Sequence, residues 1–226
     1  MAAPTATCGD SSTVGIYVIL SSNPMSTIEV VSAIFGALVF LFIFWRRLKE
    51  DYESQAIFSI AFFMLTGVLA AGLFVRYLPR LNAWWFWADF LGLAVGFTLG
   101  ILKFRLKFYE LLEASCLASL FWLAFVFVAY TLVDNNLPGL IASTFIIALI
   151  VSFYLVDGKY KSFSWYKSGK IGFSGLAISG IFFLTRAVVS LLTQNVVSFV
   201  SEYDSIASGI LAFGSFLLLY NLAIKK

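Results

Sequence analysis

Residues 83–102 read AWWFWADFLGLAVGFTLGIL, an apolar stretch that opens with three tryptophans and carries a glycine at every fourth position in its second half. Its length is close to the roughly 20 residues that an α-helix needs to cross a bilayer. The tryptophans are typical of a membrane–water interface, where the ring places its polar edge among the head groups. The spacing of Gly92, Gly96 and Gly100 predicts a helix face that a second membrane helix can approach closely.

Six further apolar stretches of similar length flank this one, and 61% of the 226 residues are hydrophobic, whereas only 12% are charged. The mean hydropathy of +0.95 is that of a chain whose solvent is lipid. We therefore expect an all-α integral membrane protein, with a leader over residues 1–26 that holds a short interfacial segment, and a seven-helix membrane domain over residues 27–226. The predicted spans are Ile28–Trp45, Gln55–Tyr77, Ala83–Leu102, Phe108–Val133, Pro138–Val156, Ile171–Thr193 and Ile206–Ile224.

Lysine and arginine fall mainly in alternate connections between these spans. By the positive-inside rule those connections face the cytoplasm, so the N-terminus is expected outside and the C-terminus inside a bacterial cytoplasmic membrane. The net charge of +3 reflects this topology, and no nucleic-acid partner is expected. The residues that set the orientation are Arg46, Arg47, Lys49, Lys103, Arg105, Lys107, Lys159, Lys161, Lys167, Lys170, Lys225 and Lys226.

The chain contains no histidine. This excludes serine–histidine and cysteine–histidine nucleophilic pairs and removes the commonest metal ligand. A phosphate-binding glycine-rich loop is also absent, so we expect no metal and no nucleotide cofactor. A catalytic site in this chain would have to use carboxylates, lysine, arginine, tyrosine or hydroxyl groups.

Asp89 and Arg186 are the two charges that lie most clearly within apolar spans, where charges are functional or paired by default. At 1.5 Å per residue they lie about 10 Å and about 12 Å in from the outer ends of their helices, so they are expected to meet. One interpretation is a buried ion pair that fixes helix packing. The other is an outward-facing pocket for an anionic lipid head group, with Arg186, Arg76 and Arg80 as its positive lining and Asp89 orienting Arg186.

Three further carboxylates lie near predicted helix starts. Glu29 could join the pocket or stabilise a helix N-terminus. Glu110 and Glu113 are three residues apart, where Lys103 and Lys107 can neutralise them, so an interfacial ion-pair cluster is expected. A proton relay would need more carboxylates deeper in the spans.

Several motifs occur in an order known from one family. Residues 27–77 hold an apolar helix with Gly36, a Trp-Arg-Arg end and a second apolar helix; residues 86–113 join Phe-Trp-Ala-Asp-Phe-Leu-Gly to Lys-Phe-Arg and Phe-Tyr-Glu-Leu-Leu-Glu. Residues 180–186 read Gly-Ile-Phe-Phe-Leu-Thr-Arg. In this order the chain resembles bacterial prolipoprotein diacylglyceryl transferase over about Thr27 to Lys226. The resemblance implies seven helices and transfer of the diacylglyceryl group of phosphatidylglycerol to a cysteine thiol of a lipoprotein precursor.

The motifs that carry out this chemistry are largely replaced. The family's histidine falls on Trp87, its Arg-Ile-Gly-Asn signature falls near Phe127–Tyr130, and Arg186 alone carries over, as the Phe-Arg position of the penultimate helix. Cationic groups for a phosphate remain, but no base for the thiol is evident. Three functions stay open: a divergent transferase, a catalytically degenerate protein that binds phospholipid or a lipoprotein, and a small-molecule carrier subunit. The carrier is disfavoured because the prolines lie outside the middle of the spans.

Overall fold

The computed structural model describes residues 27–78, 84–134, 137–160, 171–192 and 202–224. Seven α-helices form within these ranges, and each is long and apolar enough to cross a membrane. The expected all-helical architecture with seven candidate spans is thereby confirmed, while the leader at residues 1–26 lies outside the described ranges. The helices are α1 (Thr27–Leu48), α2 (Ser54–Tyr77), α3 (Trp85–Phe104), α4 (Phe108–Asp134), α5 (Leu137–Lys159), α6 (Phe173–Leu192) and α7 (Glu202–Ile224).

Helix α4 lies at the centre of the packing and contacts α1, α5 and α6. Its fully buried Leu111 and Ala118 belong to the same apolar cluster as Phe40 and Phe44 of α1 and Phe153 of α5. The other two closely packed pairs are α2 with α3 and α6 with α7. Many large apolar side chains remain exposed on the outside of the bundle, as expected where lipid is the solvent.

The α2–α3 pair packs through the glycine face of α3. All three glycines of the stripe are buried, and a Cβ atom added to Gly100 would lie 2.7 Å from Cγ2 of Ile60. Small residues therefore bring the two backbones together, as their spacing indicates. The residues that face them on α2 are Gly67 for Gly92, Met64 for Gly96 and Ile60 for Gly100. Later residues of α3 contact earlier residues of α2, so the two helices are antiparallel and stay in one register along this contact.

The bundle has two chemically different ends. We call the end at which α1 and α3 finish, near Leu48 and Lys103, the basic end, and the end near Tyr77 and Trp85 the opposite end. Helix α3 is closed at the basic end by Arg105, whose φ of 52° is left-handed and whose backbone N–H donates to the carbonyl of Ile101 at 2.8 Å. The polar side chains considered next lie at these two ends.

Candidate functional site

Arg186 lies at the opposite end, where its charge is balanced inside the protein. Its Nη2 donates to Oδ1 of Asp204 at 2.9 Å, and the exposed fractions of the two side chains are 7% and 0%. The guanidinium carbon is 3.8 Å from the centroid of the Phe86 ring and 5.6 Å from that of Trp87. Nε1 of Trp87 donates to the same Asp204 oxygen at 2.6 Å. The pair therefore joins α3, α6 and α7 under an aromatic cover.

The expected pairing of Asp89 with Arg186 is wrong, because Arg186 pairs with Asp204. Asp89 and Arg186 lie at matching depth, but the rotation of α3 turns Asp89 away from Arg186. Trp87 and Asp89 are two residues apart, which is about 200° around an α-helix. Trp87 faces α6 and α7, whereas Asp89 faces α2. Asp204 was missed because it lies two residues before the predicted span, although a carboxylate in the first turn of the last helix could have indicated it.

Asp89 lies half-buried at the α2–α3 contact. A Cβ atom added to Gly72 would lie 3.3 Å from Oδ1 of Asp89. The glycine therefore makes room for the carboxyl group. Within the described residues, no hydrogen bond or ion pair reaches Asp89. Arg76 follows Gly72 by four residues, on the same face of α2 and about 6 Å nearer the opposite end, and its side chain is exposed. Arg80 lies outside the described residues.

The basic end holds the second ion-pair site. Arg47 of α1 donates from Nη1 to Oδ2 of Asp157 at 3.0 Å and from Nη2 to Oδ1 at 2.8 Å, and Nη2 also contacts Glu113. The other Glu113 oxygen accepts from the backbone N–H of Gly172 at 2.6 Å, and Ser174 donates to Asp157 at 3.4 Å. One arginine thus ties α1 to α4 and α5, and both carboxylates reach the start of α6.

The carboxylate of Glu110 has its own partners beside this cluster. It accepts from Lys107 Nζ at 2.9 Å and from the Tyr52 hydroxyl at 2.5 Å. The hydrogen bond and charge of Glu110 raise the pKa of Lys107, and burial together with that carboxylate raises the pKa of Tyr52. The expected pairing of Glu110 with a lysine is therefore present, whereas Glu113 pairs with Arg47.

A cavity of about 410 Å³ opens next to these groups and is lined in part by Arg47, Glu110 and Asp157. Both carboxylates already accept hydrogen bonds from protein donors, so the arrangement serves to hold helices together. Among the described residues, no group of three or more acidic or cysteine side chains could hold a metal ion. Within the described residues, the ion pairs of Arg47 thus link α1 to α4 and α5.

At the opposite end of the α2–α3 pair, Arg76 and Asp89 form no ion pair within the described part of the chain. Arg76 and Asp89 belong to the site expected from the sequence, whereas Arg186 is separated from Asp89 by the rotation of α3 and is engaged by Asp204. No family model, curated protein or solved structure matches this chain. The resemblance to diacylglyceryl transferases therefore rests on the sequence motifs alone.

Proposed function

We propose that this chain is a phospholipid-binding membrane protein, with its head-group site at the opposite end of the α2–α3 pair. In this proposal the guanidinium of Arg76 binds the lipid phosphate, and the carboxylate of Asp89 accepts hydrogen bonds from head-group hydroxyls. Phosphatidylglycerol offers both partners, since its phosphate carries a glycerol with two hydroxyl groups.

The observation that carries the proposal is that Asp89 lies in an apolar helix and has no hydrogen-bond or ion-pair partner among the described residues. A carboxylate within a membrane span is costly to maintain, so an unpaired one marks a functional position by default. The packing role that Asp89 could have filled is taken by Asp204, which holds Arg186 at 2.9 Å. Gly72 makes room for the carboxyl group of Asp89, since a Cβ atom at position 72 would lie 3.3 Å from Oδ1.

The position of Arg76 supplies the second half of the site. Arginine binds phosphate through two parallel hydrogen bonds, and an exposed side chain in the last turn of α2 can turn toward a head group. Gly72 and Arg76 are about 6 Å apart along α2, so in this proposal the phosphate binds at Arg76 and the terminal glycerol of the head group turns inward along the helix toward Asp89. Arg186, by contrast, lies outside the proposed site, because it pairs with Asp204 and packs against Phe86 and Trp87.

The proposal also includes the orientation of the chain in a bacterial cytoplasmic membrane. The loop charges put the basic end in the cytoplasm, so the Arg76–Asp89 site would open to the outer leaflet. In a Cys8→Ser background, a cysteine at Tyr77, where the side chain is 82% exposed, should react with an impermeant thiol reagent added to intact cells. A cysteine at Lys49 should be protected, and labelling at Lys49 with protection at Tyr77 would invert the orientation.

Mass spectrometry of lipids extracted with the purified protein tests the binding itself. We expect phosphatidylglycerol to be enriched over the bulk membrane lipids, and Arg76→Gln to lower that enrichment about tenfold, as expected for a charge-assisted contact. Asp89→Asn should lower it less, because an amide oxygen still accepts one hydrogen bond. Arg46→Gln, which changes an exposed arginine in the last turn of α1, should leave it unchanged. Absence of enrichment in the unmodified protein would contradict the proposal.

The same purified protein separates binding from transfer. Incubation with phosphatidylglycerol and a lipobox peptide would yield a diacylglyceryl thioether only if a base for the cysteine thiol is present. We expect lipid binding without this product. Formation of the thioether would make the lipoprotein precursor a second partner and would turn the proposal into a transferase.

A further inference from the structure

A second cavity lies at the basic end of the α2–α3 pair, on the side of α3 where the helix finishes. Its volume is about 350 Å³, and it is lined by Phe58, Ser59, Phe62, Phe63 and Lys103. Phe58 and Phe62 are four residues apart on α2, so their rings form one wall. Their side chains are 48% and 66% exposed, which opens the cavity as a groove toward the surrounding lipid.

Among the described residues, Lys103 provides the only charge in the lining of this groove. Its Nζ lies 5.0 Å from the centroid of the Phe63 ring and 5.5 Å from that of Phe104. No carboxylate pairs with it within the described part of the chain, whereas Arg47 and Lys107 at the same end both form ion pairs. The hydroxyl of Ser59 donates to the Gln55 carbonyl at 2.8 Å, so this hydrogen bond does not compensate the charge of Lys103.

We infer that this groove binds an anionic phospholipid of the leaflet at the basic end, with the phosphate at Nζ of Lys103 and an acyl chain along Phe58 and Phe62. An unpaired cation at the end of an apolar groove matches a molecule with an anionic head and an apolar tail. A zwitterionic lipid would bring its own ammonium close to Lys103, so a net negative head group is selected. This site is independent of the proposed Arg76–Asp89 site, because it lies at the other end of the same helix pair.

Native mass spectrometry of the detergent-solubilised protein, titrated with phosphatidylglycerol or with phosphatidylcholine, tests the inference. The titration is made in an Arg76→Gln background, so that the proposed site at the opposite end does not contribute. Lys103→Gln should lower retention of phosphatidylglycerol about fivefold, the effect of one lysine near an anionic surface, and should leave phosphatidylcholine unchanged. Equal retention of both lipids before the substitution would overturn the inference.

Lys49→Gln is the matched control. Nζ of Lys49 lies 5.3 Å from the Trp45 ring, so it makes the same kind of aromatic contact at the same end, but it does not line the groove. We expect no loss of phosphatidylglycerol in this variant. A loss as large as that of Lys103→Gln would show that general surface charge, and not the groove, retains the lipid.

A second variant tests the apolar part of the site with the charge intact. Ser59→Phe places a ring in the groove between Phe58 and Phe62, so it should also lower retention of phosphatidylglycerol. Unchanged retention would overturn the placement of the acyl chain. Measuring each variant again with Arg76 restored distinguishes the two sites. The proposed function fails if Arg76→Gln has no effect on retention of phosphatidylglycerol. This inference fails if Lys103→Gln has no effect on that retention.

Discussion

The two arginines that hold the ends of the bundle together do so in different surroundings. Within the described residues, Arg186 pairs with the carboxylate of Asp204 and packs against the rings of Phe86 and Trp87, and its side chain is 7% exposed. Arg47 has two carboxylate partners, and its side chain is 32% exposed. Charge is costly to bury, so the buried guanidinium of Arg186 and the buried carboxylate of Asp204 are paired at 2.9 Å. At the basic end water reaches the arginine and tolerates the extra negative charge.

The two ion-pair arrangements do not include Asp89. Asp204 and Arg186 neutralise each other, and Glu113 and Asp157 share Arg47. Asp89 takes part in neither arrangement, although it lies within a helix that is long and apolar enough to span a membrane. Each arrangement can be broken by a single substitution, and breaking the more deeply buried one should cost more.

Asp204→Asn should destabilise the protein most, by about 3–5 kcal/mol, because it leaves the buried guanidinium of Arg186 without its carboxylate. Thermal unfolding in detergent measures the effect. Combining Asp204→Asn with Arg186→Gln should cost less than Asp204→Asn alone, since no charge is stranded. Asp89→Asn is the control and should change stability by less than about 1 kcal/mol. An equal loss in Asp89→Asn would show that Asp89 has a structural partner.

Gly96→Leu should come next, at about 1–3 kcal/mol, since the added side chain must fit between two backbones in contact. Val95→Leu is the matched change on the same helix, where the side chain is 57% exposed, and it should have little effect. Thermal unfolding of the two variants side by side gives the comparison. Equal losses would place the glycine face toward lipid.

Arg47→Gln should cost about 2 kcal/mol, less than Asp204→Asn. Glu113 keeps the backbone N–H of Gly172 as a donor, and Asp157 keeps Ser174. Proteolysis of the connection after α5 should become faster in this variant, because the arginine no longer holds the ends of α1, α4 and α5 together. A loss of stability larger than that of Asp204→Asn would reverse the proposed difference between the two ends.

The smallest effect is expected from Lys107, whose side chain is exposed. Its pKa is raised above 10.5 by Glu110, so the stabilisation is complete below that value and is lost as the pH rises through the raised pKa. The difference in melting temperature between the unmodified protein and Lys107→Gln should therefore be constant near neutral pH and shrink as the pH rises through the raised pKa of Lys107. A difference that does not shrink in strongly alkaline solution would have another cause.

The seven helices and the glycine contact follow from the sequence because apolar length and small-residue spacing are local properties. The partner of Arg186 does not, because counting residues fixes depth but not the direction in which a helix faces the rest of the bundle. Asp89 and Trp87 show this directly, since two positions on one helix point to different neighbours. Glu113 shows the same limit: lysines close in sequence were expected as partners, whereas Arg47 reaches it from another helix.

The central claim is that Arg76 and Asp89, and not Arg186, form the phospholipid site. The most direct test compares the phosphatidylglycerol extracted with Arg76→Gln to that extracted with the double variant Asp204→Asn/Arg186→Gln, both normalised to the unmodified protein. The account predicts that the double variant keeps its enrichment of phosphatidylglycerol and that Arg76→Gln loses about tenfold. Loss of the lipid in the double variant, together with its retention in Arg76→Gln, would contradict the account and return the site to Arg186.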